Sequence, residues 1–388
     1  MPLKINDEIS KIDYSLTEVV PNINNNQTYF ELSVVQNNIK ILIDYVLTPY
    51  TDYKPEDYSL FILKSLELNR ENDIFQVYDK VADLRIGWIF PIQSLVSNKH
   101  GCAENKHFLK YAYVAFYKLL LNQENYSHFT PSSEQIEDYK LTDFYGDNII
   151  ILILCKTNID KIANFNIDNY LASLYSHSYY YCQPTENINK INNCQPTEDL
   201  NEIKNRANLK PSGNTRLILQ QNSQYLQGEP YIERLFKSLL QTEEHPLVRF
   251  YILYQVIELV IEIMFKKSFS DIIDTFQNNT DKNIYELKES IAYISSEKER
   301  ISKLINALEK YFDEVSKINL HTFCNELLVA FNSKTKETLP SALYSVRSSI
   351  VHKFRNLPEK DLPKIEAINK EFENIVIKII LNFEEISI

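Results

Sequence analysis

Arg347 and His352 stand five residues apart in the segment LYSVRSSIVHKF, residues 343–354, and the two side chains together suit phosphodiester chemistry. Cleaving RNA through its own ribose 2′-OH needs a group that moves a proton near neutral pH, and histidine is the side chain whose ordinary pKa fits. It also needs a fixed positive charge where the phosphorane develops, which the planar, permanently charged arginine fork supplies. Neither demand calls for a metal. The sequence has no Asp/Glu/His cluster at metal-ligand spacing, so no metal and no cofactor are expected. The competing reading of the pair is an ordinary surface histidine beside a solvated arginine.

On a helix, Leu343, Val346, Ile350 and Phe354 form one apolar stripe that faces a core. Ser345, Ser348, Ser349 and His352 form a polar stripe beside it. Arg347 lies about 140° around from His352 and about 7.5 Å along the axis, and its long stem can bring the guanidinium back toward the polar stripe. Tyr344, one turn before Arg347, is placed to support it. Upstream, the apolar segment RFYILYQVIELVIEIMF, residues 249–265, carries Gln255, Glu258 and Glu262 on a shared face. A carboxylate on a buried helix needs a partner, and Arg347 is one for Glu258. The alternative is that Glu258 and Glu262 mark the solvent side of an amphipathic helix.

The string Tyr344-x-x-Arg347-Ser-x-Ile-Val-His352, together with the acid embedded in the upstream apolar helix, resembles the signature of the HEPN superfamily (higher eukaryotes and prokaryotes nucleotide-binding). It is similar to the version in the ApeA-like group of bacterial abortive-infection proteins. The resemblance spans residues 230–388. It implies a metal-independent endoribonuclease acting in anti-phage defence on single-stranded RNA or tRNA. It further implies a homodimer through this domain, so that two Arg347–His352 sets line one cleft. His352 would move a proton or orient the 2′-OH, Arg347 would stabilise the phosphate, and Tyr344, Ser348 and Glu258 would hold the geometry. The products would be a 2′,3′-cyclic phosphate and a 5′-OH. Where a small glycine often follows the histidine in related proteins, this chain has Lys353. With Arg355, it is assigned to phosphate or RNA binding. The resemblance also admits a non-catalytic HEPN module that only dimerises or regulates.

The elements that must position these residues divide the chain into three. Residues 1–181 read as a mixed α/β N-terminal domain. Segments 28–35, 38–47, 58–68 and 83–90 have β-branched and aromatic runs separated by Asn/Asp clusters. Residues 107–121 form a helix, and 149–155 (IIILILC) and 215–220 form further strands. A sensor or regulatory role, with a phage-derived trigger, is expected of this domain. Residues 182–229 read as a polar linker in which CQPTEN at 182–187 recurs as CQPTED at 194–199. Residues 230–388 read as an all-α HEPN-like bundle, with helices over 230–241, 246–266, 283–312 (one exposed helix or a helical pair), 321–332, 340–354 and 362–384. The fold class is therefore α+β.

A formal net charge of -11 argues against a protein that coats a nucleic-acid duplex. Residues 230–388 carry 21 Lys and Arg against 24 Asp and Glu, so most of the excess lies upstream. Five cysteines with no CxxC pair read as reduced thiols rather than a disulfide framework or zinc site. His100, His107, His128, His177, His245 and His321 are scattered and read as structural or surface groups. No GxxxxGK[ST], GxGxxG or GxSxG motif occurs. The N-terminus, MPLKINDEIS, has no apolar region of the signal-peptide kind, and 250–265 is too short and too charged to span a membrane. A cytoplasmic protein is expected.

Overall fold

The computed structural model describes residues 4–7, 12–24, 27–34, 40–45, 54–65, 73–121, 140–145, 149–181, 216–242, 245–278, 283–353, 355 and 357–384. The duplicated CQPTE loop, with the rest of 182–215, lies outside the described residues. The chain forms two units: Met1–Ile167 with His177–Gln220, and Asp168–Ser176 with Gln221–Ile388. The fold is α+β, with a mixed sheet in the first unit and helices in the second.

The first unit opens with an antiparallel sheet of four strands in sequence order, β1 (Lys4–Asp7), β2 (Ile12–Asn24), β3 (Gln27–Val34) and β4 (Lys40–Tyr45). Its second sheet has six strands: β5 (Tyr58–Ser65), β6 (Phe75–Asp79), β7 (Leu84–Pro91), β8 (Ile149–Cys155), β9 (Tyr179–Tyr181) and β10 (Arg216–Leu219). The spatial order is β10-β6-β7-β8-β5-β9, with β10 parallel to β6 and every other neighbour antiparallel. Apolar residues fill β8 because it lies between β7 and β5 and is buried on both faces. At Gly87 a Cβ would meet the Ile153 carbonyl oxygen at 2.0 Å, so only glycine fits that point of the β7–β8 pairing.

Helices α1 (Gln93–Val96), α2 (Lys106–Leu121), α3 (Leu141–Tyr145) and α4 (Lys156–Ile159) also belong to this unit. On α2, Phe108, Ala112, Ala115 and Leu119 recur at helical spacing and are buried. The Phe108 ring meets Trp88 edge-on at 5.6 Å and Phe90 at 5.2 Å.

The second unit begins with α5 (Leu171–Ser176), a segment that sequence reading assigned to the N-terminal domain. Asp168 pairs with Lys237 at 2.8 Å, and Tyr175 packs against Phe236 at 5.3 Å. Next comes α6 (Pro230–Arg234), which runs on through a π turn at Leu235–Leu239. The bundle follows: α7 (Pro246–Asn278), α8 (Ile284–Ser295), α9 (Glu297–Leu308), α10 (Glu314–Ala330), α11 (Leu339–Lys353) and α12 (Leu362–Asn382). Helix α12 packs on α7 and α10, and α11 packs on α9 and α10.

Several boundaries differ from those read in the sequence, for local reasons. Helix α7 continues past Lys266 because no glycine or proline interrupts it. The pairs Glu262–Lys266 at 2.7 Å and Lys267–Asp271 at 3.2 Å support the extra turns. Of the two readings of 283–312, the pair holds: Ser296 ends one helix and caps the next by accepting from the Glu299 amide. Helix α10 begins seven residues before His321, at Glu314, where Asp313 accepts from the Ser316 amide at 2.9 Å. Among the described residues, no helix is long and apolar enough to cross a membrane.

Candidate functional site

On α11, Leu343, Val346 and Ile350 are buried, as their spacing requires, while Phe354 lies outside the described residues. With that face turned inward, Arg347 and His352 project on opposite flanks of the helix. The exposed Val351 lies between them around the axis.

Arg347 is half-buried on one flank. Its Nη2 donates to Glu258 Oε1 of α7 at 2.8 Å, and its guanidinium carbon sits 5.7 Å from the centre of the Tyr254 ring. Gln255 Nε2 donates to the other oxygen of Glu258. Tyr254 in turn donates to Glu297 Oε1, at the start of α9, at 3.0 Å. Burial works against the charge on Arg347. The hydrogen bond to Glu258 and the charges of Glu297 and Glu258 outweigh it, so the guanidinium pKa stands above its ordinary value. Burial, reinforced by Glu297, drives the Tyr254 phenol far above its ordinary pKa and keeps it a neutral donor. Of the two roles open to the α7 acids, Glu258 is the partner of Arg347. Glu262 is exposed and pairs with Lys266.

The other flank opens into a groove of about 270 Å³. Tyr344, Ser348, Ser349, His352 and Lys353 line it from α11. Ser333, Lys334 and Lys336, on the loop after α10, form the facing wall. Lys353 Nζ donates to Ser333 Oγ at 3.2 Å across the groove. The structure thus brings Tyr344, Ser348, His352 and Lys353 together. Arg347 and Arg355 are not among the lining residues. The Arg347 guanidinium does not fold back to the serine stripe, because Glu258 and Tyr254 hold it on the other side. Tyr344 accordingly faces the groove rather than supporting Arg347.

The lysine loop is built by α10. The Asn332 amide donates to Val329 O at 2.9 Å and the Ser333 amide to Leu328 O at 2.8 Å, with Asn332 in the left-handed region at φ 53°. This is the glycine-type helix stop with asparagine in glycine's place. Asn325 then grips the returning strand of the loop. Its Oδ1 accepts from the Lys336 amide at 2.7 Å, and its Nδ2 donates to the Lys336 carbonyl at 3.0 Å. His321 Nε2 lies 2.9 Å from the same carbonyl, a structural role of the kind expected for it. Sequence reading missed Lys334, Lys336 and Asn325. The available signal was NSKTKE, residues 332–337: two lysines in a polar loop just before the motif helix.

Among the described residues, no three His, Cys, Asp or Glu side chains cluster closely enough to share a metal ion. Comparison of the chain with protein-family models, curated sequences and solved structures returned no match.

Proposed function

We propose that this chain is a metal-independent endoribonuclease of HEPN type, acting in the cytoplasm in anti-phage defence on host or phage RNA. One observation carries the reading. A single helix presents an arginine already fixed by a carboxylate and a ring on one flank, and an exposed histidine among hydroxyls and lysines on the other, with Val351, Tyr344 and Ser348 on the outer strip between them. A second copy packed along that strip would cover Val351 and bring the two flanks of α11 into one cleft. His352 then takes or orients the proton of the 2′-OH, and Arg347 meets the developing charge on phosphorus. Attack by the 2′-oxygen expels the 5′-oxygen of the next nucleotide and leaves a 2′,3′-cyclic phosphate. Tyr344 and Ser348 hold the strand. The first unit serves as the sensor for a phage-derived trigger.

The test is cleavage of end-labelled single-stranded RNA and tRNA in the presence of a chelator. The expected products end in a cyclic phosphate and a 5′-OH. His352→Ala and Arg347→Ala each lower the rate by about 10²-fold or more. Cleavage that survives both substitutions, or that needs an added metal, overturns the reading.

A second reading is favoured by one feature: Arg347 is ion-paired and does not line the groove with His352. In that case the unit is a non-cleaving dimerisation or regulatory module. Wild type and His352→Ala would then dimerise alike, and neither would cut RNA.

A further inference from the structure

The groove beside His352 has a charge character that the chain as a whole lacks. Among the described residues its cations are Lys334, Lys336 and Lys353, and no carboxylate lines it, in a protein whose net charge is -11. Its other polar side chains are the His352 imidazole and hydroxyls: Ser333 on the loop, and Tyr344, Ser345, Ser348 and Ser349 on α11. A hydroxyl donates to an anion as readily as it accepts, so such a lining is complementary to an oxyanion and to nothing positively charged.

The loop is also held in place before any ligand arrives. Asn325 hydrogen-bonds both the amide and the carbonyl of Lys336, and His321 reaches the same carbonyl. Lysines on a free loop would have to be ordered when they bind. Here the backbone under Lys336 is already clasped to α10, which lowers that cost. The volume, about 270 Å³, sits just below the usual range of small-ligand clefts, which suits one nucleotide unit rather than a long strand.

We propose that this groove is a phosphate-binding subsite for a nucleotide unit, in which Lys334 and Lys336 supply the charge and Asn325 is a positioning residue for Lys336. The ligand chemistry is a phosphate ester of a nucleotide. Its source is either a backbone phosphate of an RNA strand, which the location beside His352 favours, or the phosphates of a free nucleotide. The inference deepens the ribonuclease reading and rests on it for RNA as the source, while the phosphate chemistry stands on the groove itself.

The experiment is fluorescence-anisotropy binding to the full chain over a range of salt concentrations. One probe is a short labelled 2′-O-methyl oligoribonucleotide, which has no 2′-OH and cannot be cut. The other is a labelled nucleoside triphosphate. The Lys334→Gln/Lys336→Gln double variant is expected to bind the oligonucleotide at least tenfold more weakly. The slope of log affinity against log salt should become shallower by about 1.4, the loss of two contacts to a single strand. Lys334→Arg/Lys336→Arg keeps the charge and should bind within about threefold of wild type. Equal melting temperatures separate a lost contact from a lost fold. The same pattern on the triphosphate alone upholds the groove and names the free nucleotide as the source. Neither probe binding, or every probe that binds doing so equally to wild type and the glutamine variant, overturns the proposal. Cleavage is scored in a separate assay. Absent cleavage with lysine-dependent binding leaves the groove standing without the nuclease, and cleavage with lysine-independent binding does the reverse.

Discussion

Arg347 draws its fixed position from residues nearly a hundred positions upstream, and the same neighbourhood sets the pH behaviour of a nearby tyrosine. Tyr231 donates to the Ile252 carbonyl of α7 at 2.7 Å. Burial, with a smaller push from Glu258 and a pull from Arg234, moves its phenol up to about 12 from an ordinary 10. A phenol whose pKa is raised by folding favours the folded state fully below pH 10, the unfolded value. That contribution fades as pH climbs from 10 toward about 12, since only the unfolded chain then ionises. Urea midpoints should therefore fall across this window, and Tyr231→Phe should give a shallower fall than wild type. At this scale the sequence was informative about identity and less so about direction. The Ser345, Ser348, Ser349 and His352 face follows from helical spacing alone, whereas Tyr344, read as a support for Arg347, lines the groove with that face. Where the Arg347 guanidinium ends up depends on Glu258, 89 residues away, and on the Tyr254 ring, which helical spacing within α11 does not reveal.

Helices α7 and α12 are tied by a buried ion pair that does no chemistry in the proposed reaction. Arg249 Nη2 and Nε both donate to Glu373 Oε2, at 2.6 and 3.2 Å, and Nη1 donates to the Leu240 carbonyl at 3.1 Å. The Glu373 side chain is 2% exposed and that of Arg249 19%. Removing one partner strands a charge away from water, so Glu373→Ala should cost about 3–5 kcal/mol, read as a lowered urea midpoint and melting temperature. Replacing both members with Leu should cost much less. Elements of this kind were legible where the pattern was local. The unbroken apolar run at 149–155, rich in isoleucine, read as a buried strand, and it is one. The lysine loop was not legible, because its path depends on Asn332 adopting a left-handed conformation and on the grip of Asn325. Neither is visible in composition or period.

The second unit is not a continuous stretch of chain. Residues 168–176 belong to it, and the Tyr175 hydroxyl accepts from Arg249 Nη2 at 3.1 Å. A fragment cut at residue 230, where the sequence suggests a domain start, would lose Tyr175 from the Arg249 network and uncover Phe236. Circular dichroism melting should show that fragment to be less stable than the same helices in the whole chain, or aggregated. On a ribosome the order of events follows from the same interleaving. Helix α5 is made well before α6, α7 and α12 exist, with strands β9 and β10 and the sequence between them still to come. Leu171, Leu174 and Tyr175 must wait uncovered until those helices emerge, so the core of the second unit closes late, only when nearly all of its sequence has been synthesised.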